Sequence, residues 1–209
     1  MAEKDRGKEK LDLARQIIVF IGPEGSGKTT HALRLAEEAS KPYLSTGDIL
    51  RDLAANDFLT PYGDACRKMF AEHAYLDGQT LLEILILRLG RADMADGFVM
   101  DGSMRTVEET IKLQEVLNSA GRGDLLIKVI QLEITEEESL ARLAGESGRK
   151  RFDDTVEAIR IRLSKYQYQL EQRLEIIRSH PNWQLIPVNA MPDTEEVYLQ
   201  VQTRLRDLS

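Results

Sequence analysis

The sequence predicts an α/β fold in which five parallel strands form a doubly wound sheet covered by helices. Two observations predict it: β-rich segments alternate with segments of helical periodicity, and the first apolar run is continuous, as in a strand buried on both faces. A chain of 209 residues with 42% hydrophobic residues can bury one such core. We expect a single domain over residues 16–209, preceded by a charged and frayed tail over residues 1–15.

The strands and helices follow from local patterns along the chain. The run Ile17–Ile21 ends at Gly22 and predicts a central strand. Apolar residues at helical spacing predict a helix from Lys28 to about Ala39, which ends before Pro42. Four later segments have the composition of strands: Pro42–Ser45, Gly97–Asp101, Leu125–Ile134 and Trp183–Val188. Two long amphipathic helices, about residues 154–178 and 194–207, should cover the sheet.

Charge and cysteine content narrow the class of protein. The formal net charge of −7 opposes general binding to polyanions, so we expect no nucleic-acid partner, although local cations can still bind a small anion. Cys66 is the only cysteine, which excludes an intramolecular disulfide and fits a reducing compartment. The charged start lacks the apolar core of a secretory signal, and the run Leu81–Leu89 is too short to span a membrane. We therefore expect a cytoplasmic protein without a membrane partner.

The segment after the first strand has the pattern of a phosphate-binding loop. Residues 22–29 read Gly-Pro-Glu-Gly-Ser-Gly-Lys-Thr and match Gly-x-x-x-x-Gly-Lys-Ser/Thr between a predicted strand and a predicted helix. Its glycines let backbone N–H groups surround phosphate oxygens, and Lys28 can reach the β- and γ-phosphates. The pattern predicts an ATP site with Thr29 on magnesium. Its predicted ATP-binding residues are Gly22, Gly25, Ser26, Gly27, Lys28, Thr29 and Thr30.

Asp101 is the second predicted magnesium residue. It ends the strand Phe98–Met100, at the carboxyl edge where ligands of open α/β sheets bind, and could hold the ion directly or through water. Asp101-Gly102 could also be a plain turn. The phosphate loop elsewhere in the chain favours the metal site.

Three further segments resemble signatures of the adenylate kinase family. Tyr43–Arg51 and Gly97–Thr106 are similar to its two monophosphate-binding signatures, and Arg151–Thr155, followed by Arg162, is similar to the segment that closes its lid. With the phosphate loop, the resemblance covers about residues 16–205 in family order. It implies a five-stranded parallel sheet of the P-loop NTPase type, a helical monophosphate-binding insertion at about residues 46–78 and a short lid at about residues 142–153.

The resemblance also implies Mg²⁺-dependent phosphoryl transfer from ATP to a nucleoside monophosphate, most simply AMP. We expect the chain to act as a monomer. A phosphoryl group in flight spreads negative charge over its oxygens, and the arginine fork binds phosphate with two bonds. The residues implied to be catalytic are Lys28, Arg105, Arg142, Arg151 and Arg162, with Arg142 also on ATP. Those implied to bind the monophosphate are Thr46, Gly47, Arg51, Gly102, Arg105 and Glu109. Each arginine could instead be solvated surface.

Three departures from the family keep alternatives open. Ser103-Met104 stands where the family has Phe-Pro, Glu146 where it often has a second lid arginine, and Glu109 where adenylate kinases usually have glutamine. An ionised glutamate only accepts hydrogen bonds, which matches the two donors of guanine. The alternatives are an acceptor other than AMP, namely GMP, CMP, UMP or dTMP, or a nucleotide-binding regulatory protein on a decayed kinase fold. An Asn-Lys-x-Asp motif typical of GTPases is absent from the sequence.

Overall fold

The computed structural model describes residues 11–72, 76–144 and 156–208, and within them five strands form one sheet. All neighbouring strands are parallel, and their order is β2-β3-β1-β4-β5. The strands are β1 (Gln16–Ile21), β2 (Tyr43–Ser45), β3 (Gly97–Asp101), β4 (Leu126–Glu133) and β5 (Trp183–Asn189). The predicted doubly wound, five-stranded parallel sheet is confirmed, and strand boundaries differ from the predicted ones by at most one residue.

Helices connect the strands and cover both faces of the sheet. They are α1 (Lys28–Ala39), α2 (Thr46–Asn56), α3 (Pro61–Ala71), α4 (Gly78–Leu89), α5 (Val107–Ser119), α6 (Glu136–Ala144), α7 (Val156–Tyr168), α8 (Leu170–Ser179) and α9 (Thr194–Asp207), with a short 3₁₀ turn at Ala92–Met94. Within the described ranges, no helix is long and apolar enough to cross a membrane.

The central strand β1 contributes to two apolar layers. Ile17 and Val19 pack in the layer that contains residues of α4, α5 and α8, whereas Ile18 and Phe20 pack in the layer of α1 and α9. All four side chains are fully buried. A strand covered on both faces needs a continuous apolar run, which is the pattern that predicted it.

Two predictions about the ends of elements need correction. The helix predicted over about residues 154–178 is two helices separated by Gln169, whose φ of −106° and ψ of 4° leave the helical region. The predicted frayed tail over residues 1–15 is wrong at its end, because Leu11 and Leu13 are buried against the α1 and α9 layer. Burial of these apolar side chains offsets the entropy of ordering the segment. Residues 1–10 lie outside the described residues.

The predicted monophosphate-binding insertion contains α2 and α3. These helices share a small apolar cluster around Leu50 and Cys66, with Ile84 of α4, apart from the two main layers. Thr60 caps α3 by accepting from the Tyr62 N–H, and Pro61 occupies the first turn, where the missing N–H costs nothing. Most of the predicted lid, residues 145–153, lies outside the described residues, so the division into insertion and lid stays a prediction.

Candidate active site

The loop between β1 and α1 has the backbone that an anion site requires. Gly25 and Gly27 have φ angles of +78° and +85°, which glycine adopts without steric cost. A Cβ atom at Gly25 would lie 2.9 Å from the Ser139 carbonyl oxygen of α6. The loop is therefore held close to α6 at a position that only glycine fits.

The N-terminus of α1 follows this loop directly, and no side chain of its N-cap residue bonds the first N–H groups. The N-cap residue Gly27 makes no side-chain cap, and the first turn has no acidic residue. The Ser26 hydroxyl is buried and has no hydrogen-bond partner among the described residues. Lys28 Nζ donates to the Pro23 carbonyl at 2.7 Å, so the ammonium lies over the loop. A helix N-terminus with glycine as its N-cap, its dipole and a nearby ammonium are features that favour phosphate binding. Thr30 is exposed in the same helical turn.

The two predicted magnesium residues lie in direct contact. Thr29 Oγ1 donates to Asp101 Oδ2 at 2.6 Å, and Tyr43 donates its hydroxyl to Asp101 Oδ1 at 3.0 Å. Asp101 is 4% exposed. Burial and the neighbouring carboxylate raise the pKa of Tyr43 above its ordinary range, which keeps this tyrosine a donor. Carboxylate and hydroxyl oxygens fit Mg²⁺, which commonly binds one or two carboxylates together with substrate phosphates. The described residues contain no group of three or more His, Cys, Asp or Glu side chains that could hold a metal ion.

Helix α6 supports the loop and carries Arg142. The Ser139 hydroxyl donates to the Glu24 carbonyl of the loop. Arg142 Nε donates to Glu138 at 2.7 Å, and its Nη2 donates to the carbonyls of Ala190 and Met191 at 2.9 and 3.1 Å. Arg142 thus joins α6 to the loop between β5 and α9, and its proposed role on ATP stays a prediction.

His31 lies beneath the phosphate loop in the first turns of α1. Burial lowers its pKa to about 4, and the charges of Arg34 and Arg142 act in the same direction. Its ring stacks at 6.1 Å on Tyr198 of α9. The neutral imidazole is a packing element under Gly27, where it adds no charge to the site.

A cavity of about 830 Å³ opens beside the phosphate loop. Its volume falls in the range of small-molecule sites. Polar lining residues include Lys28, Arg105 and Glu109. Apolar lining residues are Leu50 of α2, Met69 of α3, Leu81 and Leu82 of α4, and Leu76, which precedes α4. A cavity lined by both apolar side chains and charged groups suits a nucleoside carrying a phosphate.

The structure brings some predicted monophosphate residues to this cavity and leaves others beside it. Arg105 and Glu109 line it, and Gly102 packs against the Arg105 guanidinium. Thr46 is buried with its hydroxyl unpartnered among the described residues, while Gly47 packs against Arg51, which is exposed and paired with Asp48. Leu50 of the same helix lines the cavity, so α2 lies along its edge.

Two predicted arginines cannot be placed. Arg151 lies outside the described residues, and Arg162 belongs to α7 but its side chain is outside them. Their roles stay predictions.

Sequence reasoning missed three residues that the structure brings to the site. Tyr43 bonds Asp101, Ser139 bonds the phosphate loop, and Arg173 donates to the Met104 carbonyl next to Arg105. Tyr43 could have been found, since neighbouring parallel strands end at the same edge of a sheet. Ser139 and Arg173 lie in helices and carry no sequence signal of their own.

Comparison with known proteins identifies similar chains. The family model described as "Adenylate kinase" matches residues 20–181. The chain is 38% identical over 151 residues to an adenylate kinase of Xanthomonas campestris pv. campestris (strain B100), covering 71% of this chain and 78% of that protein. It is 33% identical over 188 residues to an adenylate kinase of Mycolicibacterium smegmatis (strain ATCC 700084 / mc(2)155), covering 90% of this chain and 98% of the relative.

Proposed function

The chain belongs to the adenylate kinase family of nucleoside monophosphate kinases, and we propose that it reversibly transfers the γ-phosphoryl group of Mg²⁺-bound ATP to AMP. The observation that carries the proposal is one shared cavity of about 830 Å³: the phosphate loop lines it through Gly22, Glu24 and Lys28, and Arg105 lines it as well. A phosphate bound at the loop and a phosphate bound at Arg105 would share one space. Transfer between them needs no covalent intermediate.

On the donor side, the loop's N–H groups and Lys28 would bind the β- and γ-phosphates. To do so, Lys28 exchanges the Pro23 carbonyl for a phosphate oxygen, which is a stronger charge-assisted contact. Asp101 and Thr29 are the residues that would hold Mg²⁺, already 2.6 Å apart. The ion would neutralise charge on the phosphate oxygens.

On the acceptor side, Arg105 and Arg51 would bind the monophosphate and the apolar lining residues would receive the base. Fixing the acceptor in line with the γ-phosphate supplies much of the rate enhancement in phosphoryl transfer. The relatives are named adenylate kinases, which supports AMP as acceptor. Glu109 accepts from the Arg105 N–H through Oε2, so this carboxylate acts on the backbone beside the acceptor site. We also propose that the enzyme is monomeric and cytoplasmic.

The first test is an acceptor panel with purified protein, ATP and Mg²⁺. We expect the largest kcat/KM with AMP, smaller values with GMP, CMP, UMP and dTMP, and loss of turnover when EDTA removes the metal. A preference for GMP would replace AMP by guanine as the acceptor base. Tight ATP binding without turnover on any acceptor would contradict the kinase proposal and favour a regulatory protein on this fold.

A bisubstrate analogue tests whether the two sites are adjoining. Two adenosines joined through a phosphate chain should bind at least about 100-fold more tightly than ATP, because one molecule makes both sets of contacts. Titration calorimetry of the analogue, ATP and AMP measures this directly. An affinity equal to that of ATP alone would show that the loop and the cavity are not occupied together.

A further inference from the structure

The peptide bond between Met104 and Arg105 is held at both of its polar ends. The Met104 carbonyl accepts from Arg173 Nη1 at 2.7 Å, and the Arg105 N–H donates to Glu109 Oε2 at 2.8 Å. The Arg173 guanidinium therefore faces the carbonyl, which is the negative end of the peptide dipole. The Glu109 carboxylate faces the N–H, which is the positive end. Both are charge-assisted bonds, which are stronger than bonds between neutral groups.

This peptide lies in a backbone that needs outside support. Met104 has a φ of +53°, in the left-handed region that costs a side-chain-bearing residue about 1 to 3 kcal/mol. Its side chain is 1% exposed and packs in the layer under the sheet. The segment Ser103-Met104 also has no proline ring to fix the backbone before Arg105. Tertiary contacts therefore have to set the direction of Arg105.

Arg173 of α8 supplies one of these contacts from a buried position. It is 1% exposed, and its other donors reach the carbonyls of Gln169 at 3.2 Å and Tyr166 at 2.8 Å. The Tyr166 ring lies 4.5 Å from the guanidinium. Among the described residues, Arg173 forms no salt bridge. Burial lowers its pKa, with the charge of Glu109 acting in the opposite direction.

A buried charge of this kind is poor evidence for stability. Replacing buried ionic groups with apolar side chains of similar volume is often neutral or stabilising, because the charge no longer has to be desolvated. The bond from Arg173 to the Met104 carbonyl, next to Arg105, gives this charge another use.

We infer that Arg173 and Glu109 are positioning residues, which fix the Met104–Arg105 peptide and thereby direct the Arg105 guanidinium into the acceptor cavity. A neighbouring bond stiffens the arrangement, since the Val107 N–H donates to Gln169 Oε1 at 3.1 Å and ties the start of α5 to the junction of α7 and α8. The inference depends on the proposed contact of Arg105 with the acceptor phosphate.

Variants of Arg173 test this inference by comparing the change in the KM for AMP, the acceptor, with the change in the KM for ATP, the donor. Arg173→Met should raise the KM for AMP about tenfold and leave the KM for ATP within about twofold. Of the three hydrogen bonds that this variant loses, the one to the Met104 carbonyl supports the acceptor site, and none contacts the phosphate loop. Arg173→Lys should recover part of the loss, since its ammonium can still donate to the Met104 carbonyl. Arg178→Met on the same helix removes a 56% exposed side chain and should change neither constant. Equal rises in both constants would overturn the inference.

Combination with Arg105→Ala separates this inference from the proposed function. If Arg173 acts through Arg105, Arg173→Met should cause no further loss in an Arg105→Ala background, whereas additive losses would overturn the inference. If Arg105→Ala alone leaves the KM for AMP unchanged, the proposed acceptor site is wrong.

Variants of Glu109 test the second bond to this peptide, in which Glu109 accepts from the Arg105 N–H. Glu109→Gln keeps an oxygen that accepts from the Arg105 N–H and should change the KM for AMP by less than about threefold, while Glu109→Leu should raise it about tenfold. Glu109→Leu should raise the KM for AMP and the KM for GMP by the same factor. A change in their ratio would mean that Glu109 acts by contacting the base, and would overturn its assignment as a positioning residue.

Discussion

Lys28→Ala is expected to lower kcat by about 10³-fold, because the ammonium stabilises charge on the β- and γ-phosphates as the bond to the γ-phosphorus breaks. From a half-buried position, its ammonium also donates to the Pro23 carbonyl at 2.7 Å, in a hydrogen bond. Losing it should cost about 1 kcal/mol of unfolding free energy, or roughly 2 to 4 °C in Tm for a chain of this size. Turnover assays beside a thermal melt measure both effects.

Lys41→Ala is the matched control for this variant. Lys41 Nζ also donates to a backbone carbonyl at 2.7 Å, that of Asp96, but it lies at the amino end of β2, away from the phosphate loop. It should lower stability to a similar or greater extent and leave kcat unchanged. Near-normal turnover of a folded Lys28→Ala protein would contradict the placement of the donor phosphates at this loop.

Elements whose determinants are local could be predicted from the sequence. The run Ile17–Ile21 is apolar throughout because β1 is covered on both faces, and the phosphate loop has every residue of its pattern within eight positions. The break at Gln169 has no such signal, since neither glycine nor proline marks it. That break is accompanied by a contact with Val107, 62 positions away in the chain.

The same distinction applies to the candidate site. Arg105 and Glu109 were found because they stand in a segment that resembles a known signature, whereas Arg173 reads as an ordinary surface residue of an amphipathic helix. Its contact with Met104 joins residues 69 positions apart. Glu109 shows most clearly what the sequence could not predict. Its residue type and alignment indicated a contact with the base, whereas its bond to the Arg105 N–H depends on the course of the backbone.

Arg105→Ala is expected to weaken AMP binding about 10- to 100-fold, which corresponds to the roughly 1.5 to 3 kcal/mol of a hydrogen bond to a charged group. ATP binding should change by less than about twofold, since the loop and Lys28 are intact. The side chain is exposed at the cavity, so no core contact is lost and the Tm should stay within a few degrees of its original value. Calorimetric titration of each nucleotide separately measures the two affinities.

Two further variants make this result specific to the phosphate contact. Arg105→Lys keeps the charge but not the planar fork, so its affinity for AMP should fall between those of the original protein and Arg105→Ala. Arg178→Ala removes another exposed arginine, 3.8 Å from Glu171, and should bind both nucleotides normally. AMP differs from adenosine by the phosphate alone, so Arg105→Ala should leave the weak binding of adenosine unchanged. Equal losses for AMP and ATP, or an equal loss for adenosine, would show that Arg105 does not bind the acceptor phosphate.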